Sequence, residues 1–513
     1  MLPVKTSRLT TKPDLTIGTW QSPFSSLGLI LKQKYISGNA LALTLFTKLN
    51  ILLKVSELAC FVKNNKVMSK IQKGKEKQIG LGIIYPHAAG LDVGSMNMML
   101  SYQDQQGNGL VKEYGSFTED LHTMGKDLKE AGITHIAMEA TGVYWMSVYE
   151  ILESYDIEVT LVNARHYKNV AGQKTDVNDS QWIHQLHAHG LFRASHIADE
   201  SYRELRTYIH ERGIFQKQKS DTLNRIQKAL TQMNIKYQHL ISDIEGVTGM
   251  KILERIASGL RDGESILDGL SLKKLKASKD ELIKSLTGVY KPHYITVLTH
   301  HLEALKFYKE QMLCYEKEIE KLLKKLLPEH TVIQDKTIKA RKNQYHFNLK
   351  DYLHVLTGTD LTEIEGLEEN TILTIIAVTG LNMEKWPTAE HFSSWLNLAA
   401  RPKISGGKVL GHQRRFSNNP ATQAFRMAAQ TMWQNKGTLG HLYRRLSASK
   451  GSKKAIKAVA RRLAVIFYNM VKKKTKYDAK IVALNQEQIK ARKIARLQKE
   501  AEKLGYRVNI VAA

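Results

Sequence analysis

"HAAGLDVGSMNMMLSYQD", residues 87–104, is the stretch whose reading decides the fold. "AAGLDV" and "MNMMLSYQ" are both of strand length and mostly apolar, and the first contains one carboxylate, Asp92. A carboxylate in a buried strand is costly unless it is paired or holds a cation. Asp92 therefore requires partners from elsewhere in the chain.

Outward from this stretch the pattern is α/β. "LVKEYGSF" (110–117) reads as a further strand, and "TEDLHTMGKDLKEAG" (118–132) as a helix ended by Gly132. "ITHIAMEAT" (133–141) reads as a buried strand, "YWMSVYEILESY" (144–155) as a helix and "EVTLVN" (158–163) as one more strand. Strands first and alternation afterwards predict a mixed sheet flanked by helices, with functional side chains at strand ends. Glu139 ends the strand "IAMEA". In "KTDVNDSQWIHQLHAHG" (174–190), Asp176 and Asp179 stand three residues apart at a helix start, on one face. Four acids gathered at one end of the sheet would repel one another without divalent cations, and hard oxygen ligands suit Mg²⁺ or Mn²⁺.

Each acid also has an ordinary reading. Asp176 suits an N-cap, Asp179 suits the first turn of a helix, and Glu139 suits a strand end exposed to water. His184, His187 and His189 lack a Cys or acidic fourth ligand for zinc, and are expected on the helix surface or facing RNA.

The length of 513 residues implies roughly three domains, and 42% hydrophobic with 24% charged residues is ordinary for folded chains. Cys60 and Cys314 match neither a disulfide framework nor a zinc spacing, so the chain reads as intracellular. A net charge of +27, from 76 Lys and Arg against 49 Asp and Glu, calls for a polyanionic partner. The segment from His391 to Tyr477 holds 19 Lys and Arg and no acid, which assigns it to nucleic acid. No uninterrupted apolar run of about 18 residues argues for a membrane span. The first 67 residues hold nine Lys and Arg, two acids and no recognisable chemistry, and Met68 reads as an alternative start. Residues 1–75 are expected to be an extension outside the folded protein.

The middle of the chain reads as helical. "HLEALKFYKEQMLCYEKEIEKLLKKLLP" (301–328) carries Leu305, Met312, Ile319 and Leu326 in one seam position and Tyr308, Tyr315 and Leu322 in the other. This predicts a coiled-coil arm pairing subunits, with an intramolecular hairpin as the competing arrangement. Further on, Lys453, Lys457 and Arg461 share a helix face opposite Ile456, Val459, Leu463 and Phe467, a helix that packs by one side and meets phosphates by the other. "QEQIKARKIARLQKEAEKLG" reads as a charged helical tail.

"GLDVGS", "MEATGVYW" and "KTDVNDSQWIHQLHAHGL" resemble the Asp-Glu-Asp-Asp motifs of the RuvC-like domain of insertion-sequence transposases of family one-ten, which includes the Piv-type invertases. "IEGLEENTILTIIAVTG" and "FSSWLNLAARPKISGGKVLGHQRRFSNNPATQAFRMAA" resemble that family's second domain, whose Ser-Gly motif carries a nucleophilic serine. The likeness covers most of residues 80–474. It implies an α/β RuvC-like (RNase H-like) domain over 80–200, a helical and coiled-coil region over 201–345, a mainly α C-terminal transposase domain over 350–474 and a charged tail over 475–513.

The resemblance further implies that Asp92, Glu139, Asp176 and Asp179 hold Mg²⁺ or Mn²⁺, and that Ser405 forms a covalent link to DNA. Gly406 and Gly407 allow close backbone approach to phosphate, and Lys403, Lys408, Arg414 and Arg415 would hold the strand. On spacing alone, Ser405 in "PKISGGK" equally suits a glycine turn. Family members often show two adjacent serines there, whereas Ile404 precedes Ser405 here. The implied function is strand exchange by a DNA recombinase, guided by a structured RNA, in a dimer or tetramer, away from membranes and at the nucleoid in the cytoplasm. The alternatives are a metal-dependent, structure-specific nuclease in which water attacks and Ser405 is structural, and a non-catalytic nucleic-acid binder.

Overall fold

The structure, a computed structural model, describes residues 82–140, 142–163, 176–192, 194–272, 275–331, 333, 343–412, 417–478, 491 and 494–506, and only the backbone of residues 176–178 and 412. The expected extension over 1–75 lies outside the described residues, as do Arg414 and Arg415 and the side chain of Asp176. The chain divides into two units at Ser195.

The N-terminal unit is built on β1 (Ala88–Val93), β2 (Asn97–Gln103), β3 (Gly109–Gly115), α1 (Thr118–Glu130), β4 (His135–Glu139), α2 (Trp145–Glu153), β5 (Glu158–Val162) and α3 (Asp176–Ala188). The strands form one sheet in the order β3-β2-β1-β4-β5. Neighbours β1, β2 and β3 run antiparallel, whereas β1, β4 and β5 run parallel. This mixed sheet with flanking helices is the RNase H-like arrangement expected from the order of elements. Gly94 permits the tight return from β1 to β2, because a Cβ there would meet the Asn97 carbonyl oxygen at 2.3 Å.

On one face of the sheet α3 packs at backbone distance. A Cβ on Gly90 would lie 2.2 Å from the His184 nitrogen and 2.5 Å from the Ser180 carbonyl oxygen, so only glycine lets the helix this close. Ala137, Val162 and Ile183 form the apolar seam beneath α3, with Trp182, Leu186 and Phe192 packed around it.

The C-terminal unit begins with α4 (Glu200–Gln232), α5 (Val247–Ala257), α6 (Gly263–Leu267), α7 (Lys279–Leu286) and α8 (Pro292–Leu326). The two long helices pair with each other. Leu305, Met312, Ile319 and Leu322 of the expected seam are buried, and Tyr308 and Tyr315 contact Phe215 of α4 at ring distances of 6.1 and 5.8 Å. The seam is filled from within the chain, so this heptad builds an intramolecular hairpin instead of the subunit-pairing arm. The heptad period specifies an apolar stripe but not which helix covers it.

Two cores lie along the hairpin. One joins Leu223, Ile226 and Leu230 of α4 and Leu298, Leu302 and Leu305 of α8 to α5, α6 and α7. The other joins Tyr202, Leu205, Ile319 and Leu323 to the remaining helices of this unit. Buried charge lies between them: Arg212 meets Glu316 at 2.7 Å and stacks over the Tyr345 ring at 4.0 Å, while Lys219 and Lys309 each meet Glu245 at 3.3 Å.

The second core is completed by α9 (Leu349–Thr357), α10 (Glu369–Thr379), α11 (Ala389–Trp395), α12 (Pro420–Thr431), α13 (Thr438–Lys450) and α14 (Ser452–Lys473). Side chains supply the missing partners at several helix starts: the Thr388 hydroxyl for α11, the Asn419 carbonyl for α12, and Glu365, which accepts the Thr438 and Leu439 N–H groups, for α13. A short hairpin, β6 (Pro402–Ser405) and β7 (Lys408–His412), stands out from these helices. Residues 494–503 of the tail are helical.

Candidate active site

The strand register places two of the expected acids side by side. β1 and β4 pair in parallel from Ala88 with His135 to Leu91 with Met138. Asp92 and Glu139 are the next residues of each strand, so they are lateral neighbours on one face. That face is the one covered by α3. Gly90, two residues before Asp92, touches α3, and Val162, the register partner of Glu139, packs under Ile183.

The direction of α3 brings its start to the same end. The Ile84 N–H donates to the Ala188 carbonyl at the helix C-terminus, and Gly90 lies against Ser180 and His184. The helix thus runs opposite to β1, and its first turn, with Asp176 and Asp179, lies toward the strand end that bears Asp92 and Glu139. Glu139 is buried, while Asp92 and Asp179 are half-buried. Among the described residues, no three His, Cys, Asp or Glu side chains are grouped to hold a metal ion. Asp92 and Glu139 supply hard oxygen donors of the type that suits Mg²⁺, and they are two ligands short of the expected four.

The histidines of α3 are not surface groups as expected. His187 is buried, stacked on Tyr85 at 5.1 Å, and its Nε2 has no hydrogen-bond partner. His184 lies 3.4 Å from the Ser101 hydroxyl of β2. Burial pushes both imidazoles down to about 4, with the neighbouring histidines contributing to His187. These groups are neutral packing elements at neutral pH. The cause is Gly90, which draws the histidine-bearing face of α3 onto the sheet.

Ser405 ends β6 in the C-terminal unit. Gly406 and Gly407 form the two-residue turn with φ of +53° and +73°, a combination that favours glycine at both positions, and Ser405 is paired with Lys408 across it. Residues 402–410 are all exposed, and Ile404, Val409 and Leu410 are between 59% and 72% exposed. Lys403 and Lys408 flank the serine on this hairpin. On α14, Lys453 is exposed and Lys457 and Arg461 are half-buried, while Val459, Leu463 and Phe467 are buried, as the amphipathic pattern predicts.

Charge is divided sharply between the units. Residues 82–195 hold 7 Lys and Arg against 14 Asp and Glu, a net −7, and residues 196–513 hold 56 against 32, a net +24. The acids therefore sit in a unit that repels polyanions, and attraction for nucleic acid resides in the other. Sequence reasoning also passed over the residues that follow Glu139. Val143, Tyr144 and Met146, at the same sheet end, are exposed. Their signal was the apolar run "GVYWM" directly after an acidic strand end.

Two transposase family models match the chain. The model DEDD_Tnp_IS110, a transposase, matches residues 89–235, and that of the transposase IS116/IS110/IS902 family matches residues 358–444. The chain belongs to the IS110 family of transposases. The first match contains Asp92, Glu139, Asp176 and Asp179, and the second contains Ser405. None of the curated proteins matches the chain. As an IS110-family transposase the protein is an enzyme of DNA recombination, and a DEDD-type transposase works in general by a metal-dependent mechanism. Among the described residues, no helix of this transposase is long and apolar enough to cross a membrane.

Proposed function

We propose that this transposase exchanges DNA strands through a serine-linked intermediate, with Ser405 as the nucleophile and Asp92, Glu139, Asp176 and Asp179 as the acids that hold Mg²⁺ or Mn²⁺. The observation that carries the reading is the register of β1 and β4, which makes Asp92 and Glu139 neighbours on the face covered by α3. Bound divalent ions supply charge neutralisation at the phosphate and activation of oxygen nucleophiles.

The chain's own residues account for the remaining steps. The Ser405 oxygen forms a bond to phosphorus, one P–O bond to deoxyribose breaks, and the hydroxyl proton passes to the leaving oxygen. A deoxyribose hydroxyl of the new partner strand then displaces the serine by the reverse exchange. The number of phosphodiester bonds is conserved, so no nucleoside triphosphate is consumed. Lys403 and Lys408 offer positive charge on both strands of the hairpin and position the phosphate without reading sequence. Arg414 and Arg415, beyond β7, and Lys453, Lys457 and Arg461 on α14 extend this basic surface. A structured guide RNA is the second polyanion it serves, and the transposase works as a dimer or tetramer.

The test is a denaturing gel of the protein incubated with Mg²⁺, guide RNA and labelled element ends. A protein–DNA adduct lost in Ser405→Ala supports the reading. Cleavage without adduct, equal in wild type and Ser405→Ala, would transfer the protein to the metal-dependent nuclease class.

A further inference from the structure

The sheet end that bears Asp92 and Glu139 has an apolar rim. Val93 pairs with Met98, and Asn97 pairs with Gly115, so the turn after β1, the segment after β3 and the segment after β4 all emerge at this end. They carry Met96, Phe117, Val143, Tyr144 and Met146, which are between 46% and 73% exposed. In strand order they flank the acids, with Phe117 and Met96 on the β3 side and Val143, Tyr144 and Met146 on the β4 side. Large apolar side chains held in water around a polar site mark a surface that receives a ligand.

We propose that this rim receives unstacked nucleobases of the strand brought to the acids. The inference rests on the reading of the acids as the site of strand chemistry, and it names the form of DNA they take. The charge division carries the argument. A unit of net −7 offers little to a phosphate backbone, and the Asp120 carboxylate accepts the Phe117 N–H at 3.2 Å on the rim itself. What the rim can bind on a nucleic acid is its apolar part, the faces of the bases. Those faces are covered in an intact duplex and are available only where bases are unpaired or splayed. Tyr144 is the principal platform, because a flat ring presents a stacking face and its backbone is fixed by the start of α2.

This recognition has a signature distinct from that of the basic surface. Binding through Lys and Arg releases counterions and weakens steeply with salt, whereas base stacking does not change the number of phosphates neutralised. Affinity lost at the rim should therefore leave the slope of log affinity against log salt unchanged.

The experiment uses the full chain with Ca²⁺ in place of Mg²⁺, and two oligonucleotides carrying 2-aminopurine, one with the probe in an unpaired bulge and one fully paired. Wild type should quench the bulged probe. Tyr144→Ala with Met146→Ala should bind the bulged DNA about tenfold more weakly, with paired DNA and the salt slope unchanged, and Tyr144→Phe should retain the quench. Equal losses on both DNAs, a changed salt slope, or no loss would each overturn the inference. A change in the sedimentation mass of DNA-free protein would also overturn it, by assigning the rim to a second copy of the chain. Asp92→Ala separates this proposal from the reading beneath it. If Asp92→Ala retains strand chemistry, the role of the acids fails, while a surviving Tyr144-dependent quench keeps the rim as a base-binding surface.

Discussion

Replacing Gly90 by alanine is the most direct probe of the geometry that gathers the acids. The added Cβ would lie 2.2, 2.5 and 2.7 Å from backbone atoms of α3, where ordinary contacts begin at 3.4 Å. No side chain can rotate away, so the helix itself must retreat by about 1 Å, a displacement that misplaces catalytic groups severely. Overpacking of this kind costs about 1–3 kcal/mol, which a folded unit survives. The displacement falls on Asp176 and Asp179 while Asp92 and Glu139 stay with the sheet, so strand exchange should fall by about 100-fold. Hydrogen exchange of the α3 amides reads the first effect, and a labelled strand-transfer assay reads the second. Wild-type exchange protection together with wild-type strand transfer in Gly90→Ala would refute the proposed packing of α3 and its part in the site.

Three further outcomes follow from the same structure. Glu316→Ala strands the Arg212 guanidinium in the α4–α8 hairpin and should cost about 3–5 kcal/mol in urea unfolding, whereas Arg212→Leu with Glu316→Leu should recover most of the loss. His184, His187 and His196 are held neutral with values of about 4, below the ordinary 6.5, so the unfolded chain binds their protons first. Stability from this source is complete above pH 6.5 and is lost as pH falls toward 4, and His187→Gln should flatten the decline of the urea midpoint between pH 7 and pH 5. Gly406→Ala, at φ +53°, should destabilise the serine hairpin by roughly 1 kcal/mol and lower adduct yield without changing DNA affinity measured by filter binding.

The N-terminal fold was legible because its signals are local. Strand-length apolar runs, the turn residues Gly94 and Ser95 and the helix stop at Gly132 set β1 to β5, α1 and α2 in the observed order. The family match upholds the transposase reading that the acidic motifs and "PKISGGK" suggested. What stayed hidden depends on distant contacts. The stripe of α8 is plain in the sequence, but its partner α4 lies about 100 residues away and leaves no mark on the heptad. The inward turn of His184 and His187 is decided by the missing side chain of Gly90, and the rim around Tyr144 becomes a surface only when three separate strand ends meet.

The β6–β7 hairpin has a consequence for control. Two strands without a third, and without a helix beneath their apolar residues, hold their shape weakly in water. If Ser405 is the nucleophile, it is carried on a tongue that becomes firm only when something covers Ile404, Val409 and Leu410. Such a protein would stay inert while it scans a chromosome, since reactivity requires assembly, and stray encounters would leave the genome unbroken.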